Sequence, residues 1–252
     1  MARKKTIKTE DGVVESKTPR KNIFETIDLN SLDLTMASLL KAGVHFGHQK
    51  SRRNPRMDQY IYTTRNNINI IDLAKTVERM KEALAFIASV KKSGKQILFV
   101  GTKRQAHDLV TDIAKYTGNP FVVERWLGGT FTNFSNIRRR TRYMVRLQEQ
   151  IEKGEIKKYT KFEQMKKIEE AQKLDRRMGG IADMKDLPGA IFVTDVELDK
   201  LAIREAMHMK IPVIALADTN VNPEGIAYPI PANDDAISSL TMILAHFCKA
   251  LR

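Results

Sequence analysis

The sequence predicts an α/β protein: a doubly wound parallel sheet of about five strands, helices on both faces, and an inserted antiparallel coiled-coil pair of helices. Three observations carry that expectation. Short unbroken apolar runs recur, as in Gln96-Ile97-Leu98-Phe99-Val100-Gly101, and strands buried on both faces of a parallel sheet read this way. Between the runs lie stretches with apolar residues at helical spacing, so strands and helices alternate. One connection, residues 124–189, is too long for a plain crossover and is rich in Arg, Lys and Glu.

Residues 1–34 are mixed in charge and poor in apolar residues, which predicts a basic N-terminal extension with no core of its own. Thr35 is placed to cap a short helix over residues 36–42 that Gly43 ends. Asp72 or Thr76 opens a longer helix with Val77, Met80, Leu84 and Ile87 on one face, stopped at Gly94. The first strand of the sheet spans residues 97–100. A helix with Ala106, Leu109, Val110 and Ile113 facing inward follows it and closes at Gly118. Residues 121–123, 190–194 and 213–217 are the next three strands. Residues 226–230 make a short fifth, where Pro229 and the neighbouring Pro231 suit only an edge. Leu198, Leu201, Ala202 and Met209 mark the helix between the third and fourth strands, and the last helix runs from near Asn233 to Leu251. In the long connection, Ser135 starts a helix with Ile137, Met144, Leu147 and Ile151 at near-heptad spacing, ended by Gly154. Thr160-Lys161-Phe162-Glu163 has the form of a capping box and opens a second helix that stops at Gly179-Gly180. The expected organisation is an extension over 1–34, a core domain over 35–134 and 181–252, and the inserted pair of helices over 135–180.

Charge gives the first functional clue. The 252 residues hold 43 Lys and Arg against 30 Asp and Glu, a formal net charge of +13. Such an excess suits a polyanionic partner, and a merely solvated cationic surface is the alternative. The single Cys248 excludes an internal disulfide and, set in an apolar helix, reads as a small buried hydrophobe. No stretch approaches the roughly 18 uninterrupted apolar residues of a membrane span. The first 34 residues lack an apolar signal core and contain Glu10, Asp11, Glu15, Glu25 and Asp28, unlike a signal or transit peptide. A cytoplasmic protein with no membrane partner is expected.

Catalytic signals are thin. Gly101-Thr102-Lys103-Arg104 lies where a phosphate would sit in a nucleotide-binding enzyme, yet it matches neither Gly-rich pattern. An α/β enzyme using strand-end Asp195 and Asp218 on a phosphorylated substrate is the rival reading, but no base, nucleophile or phosphate loop accompanies them. No catalytic residue, and no small-molecule substrate, is expected.

Binding signals are stronger. Arg138, Arg139, Arg140, Arg142 and Arg146 crowd one helix, and guanidinium groups pair bidentately with phosphate. Lys50, Arg52, Arg53 and Arg56 form a second cluster beside Pro55 and Tyr60. The run from Trp126 to Phe134 sets paired glycines among aromatics. That composition suits packing on RNA sugars and bases, or equally the sealing of the sheet end. His45 and His48 have metal-compatible spacing, and Asp218, Asp234 and Asp235 fall at strand ends that converge on one sheet edge. A His–Asp–Asp site would suit zinc; acids that complement a helix dipole are the alternative.

The run 39–49 (Leu-Leu-Lys-Ala-Gly-Val-His-Phe-Gly-His-Gln), Asn54-Pro55-Arg56-Met57, Ile97 to Arg104, Arg125-Trp126-Leu127-Gly128-Gly129, Thr132-Asn133-Phe134, Asp218-Thr219-Asn220 and Asn233-Asp234-Asp235 closely resemble the bacterial family of ribosomal small-subunit protein two. The resemblance runs in order from about residue 36 to 252. It implies a flavodoxin-like sheet with the inserted hairpin, and a place in the cytoplasmic ribosome. It also implies binding to small-subunit ribosomal RNA and neighbouring ribosomal proteins, with docking of the large mRNA-binding ribosomal protein one in bacteria that have it. By the same resemblance His48, Asp218 and Asp235 match positions associated with zinc in some members. The expected RNA contacts are Lys50, Arg52, Arg53, Arg56, Lys103, Arg104, Arg125, Trp126, Arg138, Arg139, Arg140 and Arg142. Arg53 stands where the family commonly has an aromatic residue.

Overall fold

The computed structural model describes residues 22–29 and 31–252. Of the N-terminal extension, residues 1–21 lie outside the described residues. The remainder corrects the expectation of a coreless tail. Asn22 caps α1 (Ile23–Thr26) by accepting from Phe24 N, and Phe24 and Leu29 are buried in the main apolar cluster. Ile23, Ile27, Leu32 and Leu34 pack against the same cluster, and Asn22 and Ile23 donate to Asp112 at 2.8 and 3.2 Å, so the segment is held by side chains and backbone together. Thr35 caps α2 (Met36–Lys41) through a capping box with Ser38.

A three-stranded antiparallel sheet follows that periodicity does not reveal. It comprises β1 (Phe46–Gln49), β2 (Ile61–Arg65) and β3 (Ile68–Ile71), ordered β1-β3-β2. Asn66 and Asn67 both hold positive φ, 49° and 64°. A two-residue hairpin turn of type I′ requires this of both central residues, and Asn tolerates it.

The main body alternates as expected: α3 (Leu73–Lys92), β4 (Ile97–Val100), α4 (His107–Thr117), β5 (Phe121–Val122), α5 (Phe134–Glu152), α6 (Lys161–Met178), β6 (Ala190–Val193), α7 (Lys200–His208), β7 (Val213–Ala217), β8 (Tyr228–Pro231) and α8 (Ile237–Ala250). The five strands are all parallel, in the order β5-β4-β6-β7-β8. The proline-bearing strand takes the edge. Every residue of β4, β6 and β7 is buried, which is why these strands read as continuous apolar runs.

The pleat divides the core in two. Ile97, Phe99, Phe192, Ile214 and Leu216 face the side covered by α3, α4 and α8. Leu98, Val100, Ile191, Val193, Val213 and Ala215 face the other, as alternate side chains of a strand must. The second side is covered by α7, by Ile137 and Met144 of α5, and by Met178 of α6. The base of the inserted helices therefore belongs to the core. Gly180 sits where the chain re-enters, and a Cβ there would collide with the Phe121 carbonyl oxygen.

The helix α6 begins at Thr160 with the expected capping box, while α5 begins at Phe134 after Asn133 rather than at Ser135. The two helices touch through Tyr143 Oη to Glu170 (3.3 Å) and Gln148 Nε2 to Asp175 (3.1 Å). In an antiparallel coiled coil the partner number falls as the first rises. Here both rise together, so these two contacts do not define a heptad seam.

Candidate nucleic-acid interface and acidic corner

The carboxyl ends of the parallel strands gather charged residues into one corner. Lys103 follows β4, Asp195 follows β6, Asp218 follows β7, and Asp234 and Asp235 follow β8. The antiparallel sheet brings His48 on β1 against them. His48 Nδ1 lies 2.9 Å from Asp218 Oδ2, and its Nε2 lies 3.6 Å from Asp235. The Lys103 ammonium is 2.6 Å from Asp235, 2.8 Å from Asp234 and 3.3 Å from Asp195. The Asp218 hydrogen bond outweighs burial and raises the His48 pKa. Burial, and then the Asp195 charge, push Asp234 up to about 7. Burial works against the Lys103 charge, but its bonds to Asp234 and Asp235 prevail and hold it protonated.

The structure thus brings together His48, Asp218 and Asp235, and adds Asp234; one ligand atom from each lies within 4.8 Å of the others. One imidazole nitrogen held by a carboxylate, with the other facing acids, is the arrangement of a zinc-binding histidine. The donor set fits that ion class. Lys103 shares two of the same carboxylates and competes for them. His45 takes no part: its ring lies 4.0 Å from that of Phe46.

The basic residues fall into two groups. Lys50, Arg52, Arg104 and Arg125 are exposed. Arg53 and Arg56 are neutralised at home, the first by Asp58 at 2.5 Å and the second by Glu224, and Lys103 is held in the acidic corner. On α5 the buried residues Ile137, Thr141, Met144 and Leu147 form one stripe. The opposite face carries Arg139, Arg142 and Arg146, all exposed; Arg140 is exposed on the side of α6, in a crevice with Tyr143, Glu170 and Leu174, and Arg138 is half-buried beside the stripe. Arg139 donates to Asn136 at 2.6 Å.

Trp126 is placed inside. Its ring is 6% exposed, packs edge-on against Phe131 at 5.0 Å, and donates through Nε1 to Glu205 at 3.1 Å. Glu205, on α7, also accepts from the backbone of Gly129 (2.8 Å), Phe131 (3.0 Å) and Thr132 (3.3 Å) and from Thr132 Oγ1. Burial opposes its charge, yet these donors lower its pKa. This carboxylate organises the loop that launches α5, and sequence reasoning missed it. The signal was there: an acid between inward-facing Ala202 and Ala206 of an amphipathic helix must find donors when buried.

Gly101 answers the nucleotide question. A Cβ there would stand 2.8 Å from Val110 and 2.9 Å from Thr194, so the glycine serves close packing of helix on strand.

Fold and surface together define a doubly wound α/β protein with a basic helical insertion and no glycine-rich phosphate loop. The sequence profile of Ribosomal protein S2 matches residues 39–252. The chain is 46% identical over 217 residues to the small ribosomal subunit protein uS2 of Roseiflexus castenholzii, covering 86% of this chain and 82% of that one. It is 47% identical over 213 residues to uS2 of Dehalococcoides mccartyi (84% and 87%) and 45% identical over 219 residues to that of Salinibacter ruber (87% and 68%). The chain belongs to the Ribosomal protein S2 family, a family of small-subunit structural proteins and not of enzymes. Among the described residues no helix is long and apolar enough to cross a membrane.

Proposed function

We propose that this chain binds small-subunit ribosomal RNA as a non-catalytic platform of the cytoplasmic ribosome, chiefly through phosphate contacts from α5. One observation carries the reading. Arg138, Arg139, Arg140, Arg142 and Arg146 make no ion pair among the described residues, whereas Arg53, Arg56 and Lys103 do. Uncompensated guanidinium groups crowded on one helix are free to meet phosphate, and such contacts fix position rather than read bases. Lys50, Arg52, Arg104 and Arg125 extend the basic surface.

The reading includes contacts to neighbouring ribosomal proteins and docking of the large mRNA-binding protein one; family membership supports both. It also includes a zinc-class ion held by His48, Asp235 and Asp234, with Asp218 orienting the imidazole. The test is sedimentation of the endogenous chain in gradients at moderate salt. It should travel with small subunits, and protein one should leave subunits that lack this chain. A chain found in the light fractions would end the RNA-platform reading.

A further inference from the structure

We propose that a crevice at the carboxyl ends of β4, β5 and β6 receives one unpaired nucleotide of the RNA. Its base would lie on an apolar ledge of Leu198 and Leu201, and its phosphate would be met by Arg125 and Arg177. The inference rests on the RNA-binding reading above. The strand order reverses direction between β4 and β6, and doubly wound sheets open a ligand crevice at such a switch point. Here the crevice measures about 520 Å³, within the roughly 300–1,000 Å³ of small-ligand sites.

Its chemistry suits a nucleotide. Leu198 and Leu201 are 57% and 45% exposed, an apolar shelf open to solvent. Trp126, Leu127 and Gly128 also line the crevice. Arg125 and Arg177 are exposed on the rim and make no ion pair among the described residues, while Lys200 is engaged by Glu197 at 3.0 Å. Of the two acids in the lining, Asp199 is 1% exposed and bonded to Thr102 N and Oγ1, which leaves Glu124 on the rim. Unpaired RNA bases are splayed out and held on aromatic rings or guanidinium planes; here the guanidinium groups of Arg125 and Arg177 rim an apolar shelf.

A polymer is the fitting source. A free nucleotide would need backbone N–H groups around its phosphates, and Gly101 is committed to packing. A nucleotide within RNA needs no such cradle, because α5 begins directly after the 126–133 loop and holds the strand nearby.

The sole tryptophan, Trp126, lines the crevice and reports occupancy. The full chain is titrated at low salt with a short single-stranded oligoadenylate and, separately, with small-subunit ribosomal RNA. The oligomer should bind and change Trp126 fluorescence, and Leu201→Asp or Arg177→Glu should weaken it about tenfold, the order of one stacked base. Leu198→Asp, also exposed, is the second variant if Leu201→Asp misfolds by circular dichroism. Ribosomal RNA binding without oligomer binding, or oligomer binding with Trp126 and the Leu201→Asp variant indifferent, would overturn the crevice and leave the RNA reading standing. Failure of both RNAs to bind would overturn both. Adenosine monophosphate binding as tightly as the oligomer would overturn the polymer as occupant.

Discussion

Glu205 shows how much one side chain can organise. Its carboxylate gathers five donors from the 126–132 loop, and Glu205→Gln exchanges an oxygen acceptor for a donor among them. The expected cost is about 2 kcal/mol, the order of a buried charged hydrogen bond lost, measured by urea unfolding at pH 7. The pH dependence has a definite sign. A carboxyl whose pKa is lower when folded adds stability above its ordinary value of 4.5 and loses it as pH falls through the folded value. The wild-type advantage over Glu205→Gln should therefore be full at neutral pH and shrink below about 4.5. Lys103 sets the second test. Lys103→Met strands the Asp195, Asp234 and Asp235 carboxylates and should cost on the order of 3 kcal/mol. Zinc should restore part of that loss by taking the vacated oxygens. A melting temperature indifferent to zinc in this variant would refute the donor set.

Helices and strands divide into those whose ends are written locally and those fixed by neighbours. The capping residues Thr35, Asp72 and Thr160 and the stop at Gly118 stand where the sequence puts them, because each acts on backbone groups a few residues away. The antiparallel strands were not legible. Their side chains are half-buried or exposed without strict alternation, as in β1 and β2, and so lack the pattern that a strand half in the core displays. Asn66-Asn67, a pair that tolerates positive φ, is the local signal of the hairpin that sequence reasoning missed. On α5 the far-side arginines, Arg139, Arg142 and Arg146, are predictable from the spacing of the buried stripe. Changing Arg139, Arg140 and Arg142 together to Glu should lower ribosomal RNA affinity and reduce the salt slope by about three, near 0.9 per phosphate contact. The melting temperature should hold, and an unchanged slope would remove α5 from the interface. At the base of the pair, Gly180→Ala drives a methyl into the Phe121 carbonyl and should cost about 1–3 kcal/mol, read by urea unfolding.

Across the whole molecule the two apolar clusters share one sheet. Phe99, Phe192 and Phe247 pack on one side, with ring centroids 5.7 and 4.6 Å apart in sequence. Trp126 and Phe131 pack on the other. Neither side can keep its strands without the other, so unfolding should be a single event. Trp126 fluorescence and far-ultraviolet circular dichroism should give coincident urea transitions. An earlier Trp126 transition would show the α5–α6 side to be a separate unit.

The alternation of apolar runs with amphipathic stretches, the helix caps and the surplus of arginine determined by themselves the parallel α/β class and the polyanion expectation, because they act over a few residues or none at all. Which cations remain free was decided only in three dimensions. Arg53, Arg56 and Lys103 read like Arg139 in the sequence, but Asp58, Glu224 and the strand-end aspartates reach them in the fold. The tertiary structure likewise buried Trp126 on Glu205 and drew His48 to Asp218. Charges are cancelled by whatever lies within a few ångströms, and residues 170 positions apart become neighbours only when the sheet closes.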